Sequence, residues 1–308
     1  MSFPTFSATT TAEEVADALA EQIRGKNVLI TGTSINGIGY EAARVIAKFA
    51  SLVVITGYNA ERLQLSANAI KESGANASVR QLNLDLNSLE SVRKAAAEVN
   101  AYAEPLHVVV HNAAYPTGPL QLTKDGLETQ MSTAHFGPFL FTKLIYRKLL
   151  SASTSTSTPR VVTVSSRAQL MLPSAASLLS VDNLARGVAD NEEFAPMGRY
   201  AETKAANVFF AKELAKRAGG RVNAYSLHPG DIYTNIMQKE HNKISLIEMG
   251  VLNPDGSPAD KHEFKTIPQG AATTVVASFD PRIENHNGAY LWDCVVANDK
   301  LAPYFADS

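Results

Sequence analysis

Residues 26–40, K-N-V-L-I-T-G-T-S-I-N-G-I-G-Y, constrain the fold of this chain more than any other stretch. The first six form an apolar run rich in β-branched side chains, which predicts a buried strand. Gly32, Gly37 and Gly39 follow at once, and apolar residues then recur at helical spacing as far as Phe49. This strand, glycine turn and helix would place backbone N–H groups against a pyrophosphate, because glycine has no Cβ atom to hold the phosphate away.

The rest of the chain repeats this alternation of strand and helix. Most predicted strands are continuous apolar runs, which is typical of a parallel sheet with both faces covered. We therefore predict an α/β fold, a Rossmann-type doubly wound parallel seven-stranded sheet with helices on both faces and right-handed crossovers. After the first strand, we expect strands at 52–56, 79–84, 106–111, 161–165, 221–227 and 289–295, and helices at 11–24, 59–72, 88–99, 126–150, 199–217 and 270–276.

The composition is ordinary for a soluble globular protein. No break in composition divides its 308 residues, so we expect one domain over 25–308, preceded by an N-terminal helical extension over 1–24 that Thr11 can cap. The net charge of −2 gives no reason to expect nucleic acid as a partner. Cys294 is the single cysteine, so no intrachain disulfide is possible and a reducing compartment is indicated. Without an apolar run of membrane-spanning length or a signal-peptide pattern, the expected location is cytoplasmic.

Two long stretches, 167–197 and 235–268, do not fit the alternation, and long irregular segments inside a domain are usually functional. We expect them to form an apolar pocket and lid for a bulky apolar alcohol or ketone. A second interpretation is that their apolar side chains only pack the loops down. The residues concerned are Leu170, Met171, Leu172, Leu178, Leu179, Ile236, Met237, Ile244, Leu246 and Ile247.

Polar or turn-forming residues follow several predicted strands. In an open α/β sheet, ligands bind beyond the carboxyl ends of the strands, so these residues are expected to share one rim. Each alone is explained equally well as an ordinary polar turn. They are Asp85, Asn112, Ser165 and Ser166, and Pro229 and Gly230.

Tyr200 and Lys204 are four residues apart in a predicted helix and therefore lie on one face. A free phenol has a pKa near 10, and a nearby ammonium lowers the pKa by favouring the phenolate. A tyrosine adjusted in this way can exchange a proton with an alcohol or a carbonyl. An exposed pair on an amphipathic helix would show the same spacing.

Taken in order, these residues resemble the short-chain dehydrogenase/reductase family. The segments 204–214 and 269–274, and the long gap between Ser166 and Tyr200, resemble the retinol-dehydrogenase and WW-oxidoreductase branch of that family. The matching motifs are T-G-T-S-I-N-G-I-G (31–39), L-D-L (84–86), H-N-A-A (111–114), V-S-S (164–166), Y-A-E-T-K (200–204), K-A-A-N-V-F-F-A-K-E-L (204–214), P-G-D-I-Y-T (229–234) and Q-G-A-A-T-T (269–274).

The resemblance implies an oxidoreductase in which Tyr200 is the general acid/base and Ser166 stabilises the substrate oxygen. It implies that Lys204 holds the cofactor ribose and lowers the pKa of Tyr200. It further implies that Asp85 binds the adenine, that Asn112 steadies a strand end, and that Ile232 and Thr234 hold the nicotinamide carboxamide. The full expected cofactor set is Gly32, Thr33, Gly37, Ile38, Gly39, Tyr58, Asn59, Arg62, Asp85, Leu86, Asn112, Ala113, Ala114, Tyr200, Lys204, Pro229, Gly230, Ile232 and Thr234.

Three departures from the family pattern stand out. The glycine turn has one additional residue between Gly32 and Gly37. Ala134 occupies the position of the family's catalytic Asn, whose backbone carbonyl, as the resemblance implies, holds a water beside the lysine. His111 and Ala114 replace the usual Asn and Gly.

Cofactor choice is predicted from the end of the second strand. An acid there would bind the ribose 2′-OH of NAD and repel a 2′-phosphate. The residues here are Gly57, Tyr58 and Asn59, none of them acidic, so NADP(H) is favoured over NAD(H). Arg62 is the candidate partner of the 2′-phosphate.

The leading hypothesis is an NADP(H)-dependent oxidoreductase of apolar alcohols or ketones. An alternative is a cofactor-binding protein with weak or no turnover that acts through partners, which Ala134 would favour and the intact Ser166, Tyr200 and Lys204 oppose. A dehydratase or epimerase using the same tyrosine is a third option that this fold can host. The helical regions 126–150 and 200–217 could pair in a homodimer. No metal is expected, because His107 and His111 have no third candidate ligand near them in sequence.

Overall fold

Eight strands in the described part of the chain form a single sheet in the order β3-β2-β1-β4-β5-β6-β7-β8. The computed structural model describes residues 3–306 except 116, 156, 173, 175–181, 183–184 and 186–195. Neighbouring strands are parallel except for the last pair, β7 and β8, which is antiparallel. The strands are β1 Asn27–Ile30, β2 Leu52–Gly57, β3 Ser78–Asn83, β4 Val108–His111, β5 Arg160–Val164, β6 Asn223–His228, β7 Tyr290–Trp292 and β8 Val295–Val296.

Helices cover both faces of this sheet, which confirms the predicted doubly wound arrangement. One face packs against α1, α3, α4 and α10, and the other against α5, α7 and α8. The helices are α1 Ala12–Ala18, α2 Ala20–Ile23, α3 Ile38–Ile46, α4 Ala60–Glu72, α5 Leu89–Ala101, α6 Thr129–Met131, α7 Gly137–Leu150, α8 Pro196–Ala218, α9 Glu240–Glu248 and α10 Ile267–Phe279.

The central strands are apolar throughout because both of their faces are buried. In β1, Val28 and Ile30 pack on the α3 side, while Leu29 packs on the α5 side. Val28 is in register with Val53 of β2 and with Val108 of β4. Burying such side chains stabilises the fold by about 1.5–3 kcal/mol each relative to leaving them exposed.

The predicted seventh strand is divided into β7 and β8, so the sheet has one strand more than expected. Asp293 and Cys294 lie between the two strands with φ of 51° and 67°. Positive φ at both central residues is the geometry of a two-residue type I′ hairpin turn. Because glycine or asparagine usually occupies such turns, the sequence D-C gave no signal for a hairpin.

The predicted N-terminal helix is present but interrupted at Leu19. Thr11 caps α1 as expected, and Glu14 completes a reciprocal capping box. The predicted helix over 126–150 begins instead at Thr129 and includes a π-helical turn at Ser132–Phe136. The second irregular stretch contains a helix, α9.

The strand order changes direction between β1 and β4, which are hydrogen-bonded neighbours: β2 and β3 lie on one side of β1, and β4 to β8 lie on the other. A crevice forms at such a switch point because the loops after the two strands lead to opposite sides. Here these loops are the glycine turn after β1 and the segment that begins at Asn112.

Among the described residues, no helix is both long and apolar enough to cross a bilayer.

Candidate functional site

The glycine turn after β1 packs directly against the end of β4. Asn112 donates from Nδ2 to the carbonyl oxygens of Thr31 and Gly32, at 2.9 Å in each case. A Cβ atom at Gly39 would lie 2.3 Å from this Nδ2. Gly32 has φ of 72°, and a Cβ atom there would lie 2.8 Å from Ala113 Cα. Both glycines are therefore required by close backbone packing, and Asn112 holds the turn in place.

The turn leads into α3 with the helix N-terminus uncapped. Gly37 is the N-cap residue, and no side chain bonds to the first N–H groups of α3. The extra residue of the turn is accommodated by Asn36 in the left-handed region, with φ of 63°, and the Gly37 N–H donates to Ser34 O at 3.1 Å. Free N–H groups and the helix dipole make this end a suitable site for a pyrophosphate, so the chain retains the donors that a dinucleotide cofactor requires.

The residues at the end of β2 lie beside this turn. Thr33 is buried, and its hydroxyl donates to Thr56 O at 3.2 Å, so its side chain is held by β2. Tyr58 is 69% exposed. Asn59 caps α4 by accepting the Arg62 N–H at 2.9 Å, while the Arg62 side chain is exposed. The two long side chains expected at a 2′-phosphate are thus accessible, whereas the Asn59 amide oxygen has a structural role.

Asp85 and Leu86 form a turn at the end of the adjacent strand. Asp85 Oδ1 accepts the Asn87 N–H at 2.9 Å, and the carboxylate is partly exposed. The Leu86 carbonyl accepts the Ser132 hydroxyl at 3.2 Å, which connects this turn to the π-helical segment. Asp85 therefore lies at the rim, and Leu86 is mainly a packing residue.

The segment after β6 lies on the opposite side of the crevice. Gly230 has φ of 97°, and Ile232 is buried and pairs with Lys265. Asn235, directly after Thr234, donates from Nδ2 to Ile35 O at 2.8 Å. The segment from Pro229 to Thr234 is thereby joined to the glycine turn, as a shared cofactor site requires.

Ser166, Tyr200 and Lys204 meet beyond the end of β5. Tyr200 and Ser166 share a side-chain hydrogen bond. Lys204 Nζ lies 5.3 Å from the Tyr200 ring centroid and donates to Val164 O at 3.0 Å. The buried Ser165 hydroxyl donates to Lys204 O at 2.6 Å, which ties β5 to α8. The three expected catalytic residues are therefore brought together.

The acid–base properties of this cluster differ from the expectation. Desolvation raises the pKa of Tyr200 to about 12, although the Ser166 hydrogen bond lowers it, and the charge of Asp231 raises it further. Burial lowers the pKa of Lys204 to about 8. The net shift at Tyr200 is thus opposite to the predicted lowering, because desolvation of the phenol outweighs the favourable contacts.

The π-helical turn Ser132–Phe136 places Ala134 next to a buried polar cluster. The His135 and Asn207 side chains are hydrogen-bonded, and burial lowers the pKa of His135 to about 4 despite that bond. Asn207 Nδ2 also donates to Val164 O, the carbonyl that Lys204 contacts, at 3.3 Å. Ala134 is buried. The segment that departs most from the family pattern therefore adjoins the lysine.

His111, which belongs to the third departure, has a structural environment. Its Nε2 lies 2.7 Å from Thr142 Oγ1, and burial, with a contribution from His135, lowers its pKa to about 3. His111 is therefore neutral at pH 7 and contributes a hydrogen bond between β4 and α7. Ala114, the other residue of this departure, is partly buried beyond the same strand.

The apolar side chains expected to line the substrate pocket differ in their exposure. Leu170 and Met171 are 49% and 51% exposed next to Ser166, whereas Leu172 is buried. Ile244 on α9 is 50% exposed. Leu178 and Leu179 lie outside the described residues.

No sequence pattern indicated the charged cluster that lies beside these residues. Asp231 Oδ2 lies 2.6 Å from Arg167 Nη2 and 3.0 Å from His262 Nε2. The cluster joins the Ser166 loop, the segment after β6 and the second long loop. Arg199 and Glu128, both buried, were also missed, and the only sequence signal was that Arg199 directly precedes Tyr200.

The chain is similar to known proteins in both sequence and fold. The sequence model described as short chain dehydrogenase matches residues 26–178. The chain is 30% identical to short-chain dehydrogenase TIC 32 A, chloroplastic, from Brassica napus, over 94% of this chain and 87% of that protein. It is 31% identical to human WW domain-containing oxidoreductase, over 94% of this chain and 66% of that protein. An NADPH-bound carbonyl reductase from chicken fatty liver has a similar fold, with a TM-score of 0.61 at 18% identity over 87% of this chain and 96% of that one.

Proposed function

This chain belongs to the short-chain dehydrogenase family, and we propose that it is an NADP(H)-dependent oxidoreductase that interconverts apolar alcohols and ketones. The observation that carries the proposal is the meeting of Ser166, Tyr200 and Lys204 beyond β5, in the same rim as the glycine turn. A proton donor, an oxyanion partner and a cation are then available beside one cofactor site.

Tyr200 is the proposed general acid/base. With a pKa raised to about 12 by desolvation, its phenol is protonated at neutral pH and can donate to a carbonyl oxygen. The Ser166 hydroxyl shares a hydrogen bond with Tyr200 and would stabilise the charge that develops on that oxygen. A bound nicotinamide would supply or accept the hydride.

Lys204 is proposed to hold the cofactor ribose and to supply a cationic charge close to Tyr200. Its Nζ is buried 5.3 Å from the phenol ring and is held by the Val164 carbonyl. Burial lowers its pKa to about 8, so the amine is still mostly protonated at pH 7. An additional hydrogen-bond acceptor at Nζ would favour its charged form.

The preference for NADP(H) is proposed from the end of β2. Tyr58 and Arg62 are exposed there, and no acid follows the strand. An exposed guanidinium can bind a 2′-phosphate, whereas a carboxylate would repel it. The NADPH in the carbonyl reductase of similar fold is consistent with this choice.

Ala134 supports a second candidate function, a cofactor-binding protein with weak turnover. Against it stands Pro138, which has no N–H and lies four residues after Ala134. The Ala134 carbonyl therefore cannot accept an α-helical hydrogen bond from residue 138, and it can serve as the acceptor that the family's Asn position supplies through its backbone. We therefore favour the enzyme.

A homodimer is proposed through α7 and α8. Phe139 on α7 is 47% exposed and lies 5.7 Å, centroid to centroid, from Phe210 on α8. An exposed aromatic side chain across two neighbouring helices is a reasonable centre for such an interface. Size-exclusion chromatography with light scattering of the wild type and of Phe139→Lys tests this, and a wild-type monomer contradicts it.

The test of the proposed function has two stages. The first titrates the protein with NADPH and NADH and measures nicotinamide fluorescence; tighter binding of NADPH is expected, and preference for NADH would contradict the assignment at Tyr58 and Arg62. The second measures NADPH oxidation with a panel of apolar ketones. Tyr200→Phe should bind NADPH normally but lose about 10²–10⁴-fold in turnover. Equal turnover in both proteins would reject Tyr200 as the acid.

A further inference from the structure

Arg199 precedes Tyr200 directly and is buried, with only 1% of its surface exposed. It is among the largest fully buried side chains of the described chain. Burying a guanidinium is costly unless it is paired and hydrogen-bonded, so its partners show what its position requires.

Two segments of the described chain supply partners of Arg199. Its Nη2 donates to Gly118 O at 2.7 Å, in the loop after β4. Its Nε lies 3.9 Å from Oε1 of Glu128, which is itself 2% exposed. Glu128 Oε2 accepts the Met131 N–H at 2.7 Å and so caps α6. One side chain therefore connects the start of α8 to two segments across the site.

The start of α8 has particular need of such an anchor. The helix begins at Pro196, and the first N–H groups of a helix have no intrahelical acceptor. Tyr200 is only four residues from this end, where helices fray. α6 leads into the π-helical turn that carries Ala134, so the same ion pair fixes Tyr200 relative to that turn.

We propose that Arg199, paired with Glu128, is a positioning residue that holds Tyr200 against Ser166. The inference rests on the proposed function, because the position of the phenol matters only if Tyr200 transfers the proton. A displacement of about 1 Å can cost about 10²-fold in rate even when it originates away from the reacting atoms.

Arg160 provides a matched control. It is also buried, and it donates to Ala277 O at 3.3 Å and to Asp280 O at 2.9 Å. It begins β5, whereas Ser166 follows the other end of that strand. Loss of Arg160 should therefore lower stability without moving Tyr200.

The experiment compares the wild type with four full-length variants. The double variant Arg199→Met/Glu128→Gln removes both charges of this pair together, so neither is left without the other. Arg199→Lys keeps the charge but loses the rigid fork that reaches two acceptors. Arg160→Met is the control, and Tyr200→Phe identifies the Tyr200 signal in the fluorine NMR spectrum of protein labelled with 3-fluorotyrosine.

We expect the fluorine resonance of Tyr200 to shift or broaden in the double variant. The change in this resonance should be smaller in Arg199→Lys. With a ketone that the wild type reduces, kcat of the double variant should fall by about 10²-fold. Its KM for NADPH should stay within about twofold of the wild type, because the cofactor groups are untouched. Arg160→Met should keep the wild-type resonance and kcat while its melting temperature falls.

An unchanged Tyr200 resonance and kcat in the double variant, with only a loss of stability like that of Arg160→Met, would overturn the positioning role while leaving the proposed function intact. If the wild type reduces no ketone, the proposed function fails, and the NMR comparison still decides whether Arg199 fixes the phenol.

Discussion

Substitution of Gly39 by Ala tests how the glycine turn is built. The added Cβ atom would lie 2.3 Å from Asn112 Nδ2, more than 1 Å inside the 3.4 Å at which ordinary contact begins, and 2.6 Å from Gly32 O. Asn112 must then move, and its two 2.9 Å hydrogen bonds to Thr31 O and Gly32 O are broken. Each bond contributes about 0.5–1.5 kcal/mol, so the free energy of unfolding should fall by about 1–3 kcal/mol.

The same substitution should also displace the N-terminus of α3, which begins at Ile38. We expect NADPH affinity to fall by about tenfold or more, which corresponds to about 1.4 kcal/mol. Urea unfolding and a fluorescence titration with NADPH measure the two effects.

Gly74→Ala is the matched control, because Gly74 has φ of 86° and a Cβ atom there would have no other atom within 4 Å. It should cost about 1–2 kcal/mol of stability without changing NADPH affinity. If Gly39→Ala kept both wild-type stability and wild-type NADPH affinity, the assignment of the turn would be refuted.

Three further predictions concern other parts of the site. Burial lowers the pKa of His111 from 6.5 to about 3, so the neutral imidazole contributes its full stability above pH 6.5. The free energy of unfolding should then fall by about 1.4 kcal/mol per pH unit as the pH decreases toward 3. In urea unfolding, His111→Asn should flatten this pH dependence. Fluorescence titrations should show that Tyr58→Asp shifts the cofactor preference by about tenfold toward NADH. Arg62→Ala should weaken NADPH binding about fivefold and leave NADH binding unchanged. Equal losses of affinity for both cofactors would count against a 2′-phosphate site. Ser165→Ala removes the 2.6 Å bond to the Lys204 carbonyl and should lower the free energy of unfolding by about 1–3 kcal/mol; no measurable change would mean that this bond does not hold α8 to β5.

The sequence was sufficient for the features that depend on local patterns. Continuous apolar runs predicted the central strands, and the capping residue Thr11 predicted the start of α1. The glycine turn was identified because its conformation depends on missing Cβ atoms, as Gly32 and Gly39 show.

Features that depend on tertiary contacts could not be predicted in the same way. α9 has no continuous apolar stripe, since E-H-N-K-I-S-L-I-E mixes polar and apolar residues, so its helix was missed. The Arg199–Glu128 pair joins residues far apart in sequence and has no local signature. The pKa of Tyr200 was predicted in the wrong direction because its desolvation follows from packing that the spacing to Lys204 does not reveal.

The central claim is that this chain transfers a hydride between a nicotinamide and a carbonyl carbon with Tyr200 as the proton donor. The most direct measurement incubates the protein with NADPH deuterated at the transferable C4 position and with ketones, and analyses the alcohol products by mass spectrometry. We expect one deuterium on the carbinol carbon of the product from the wild type, and almost no product from Tyr200→Phe. Tight NADPH binding without deuterium in the product of any ketone would contradict the claim and favour a cofactor-binding protein. Equal labelling by both proteins would remove Tyr200 from the mechanism.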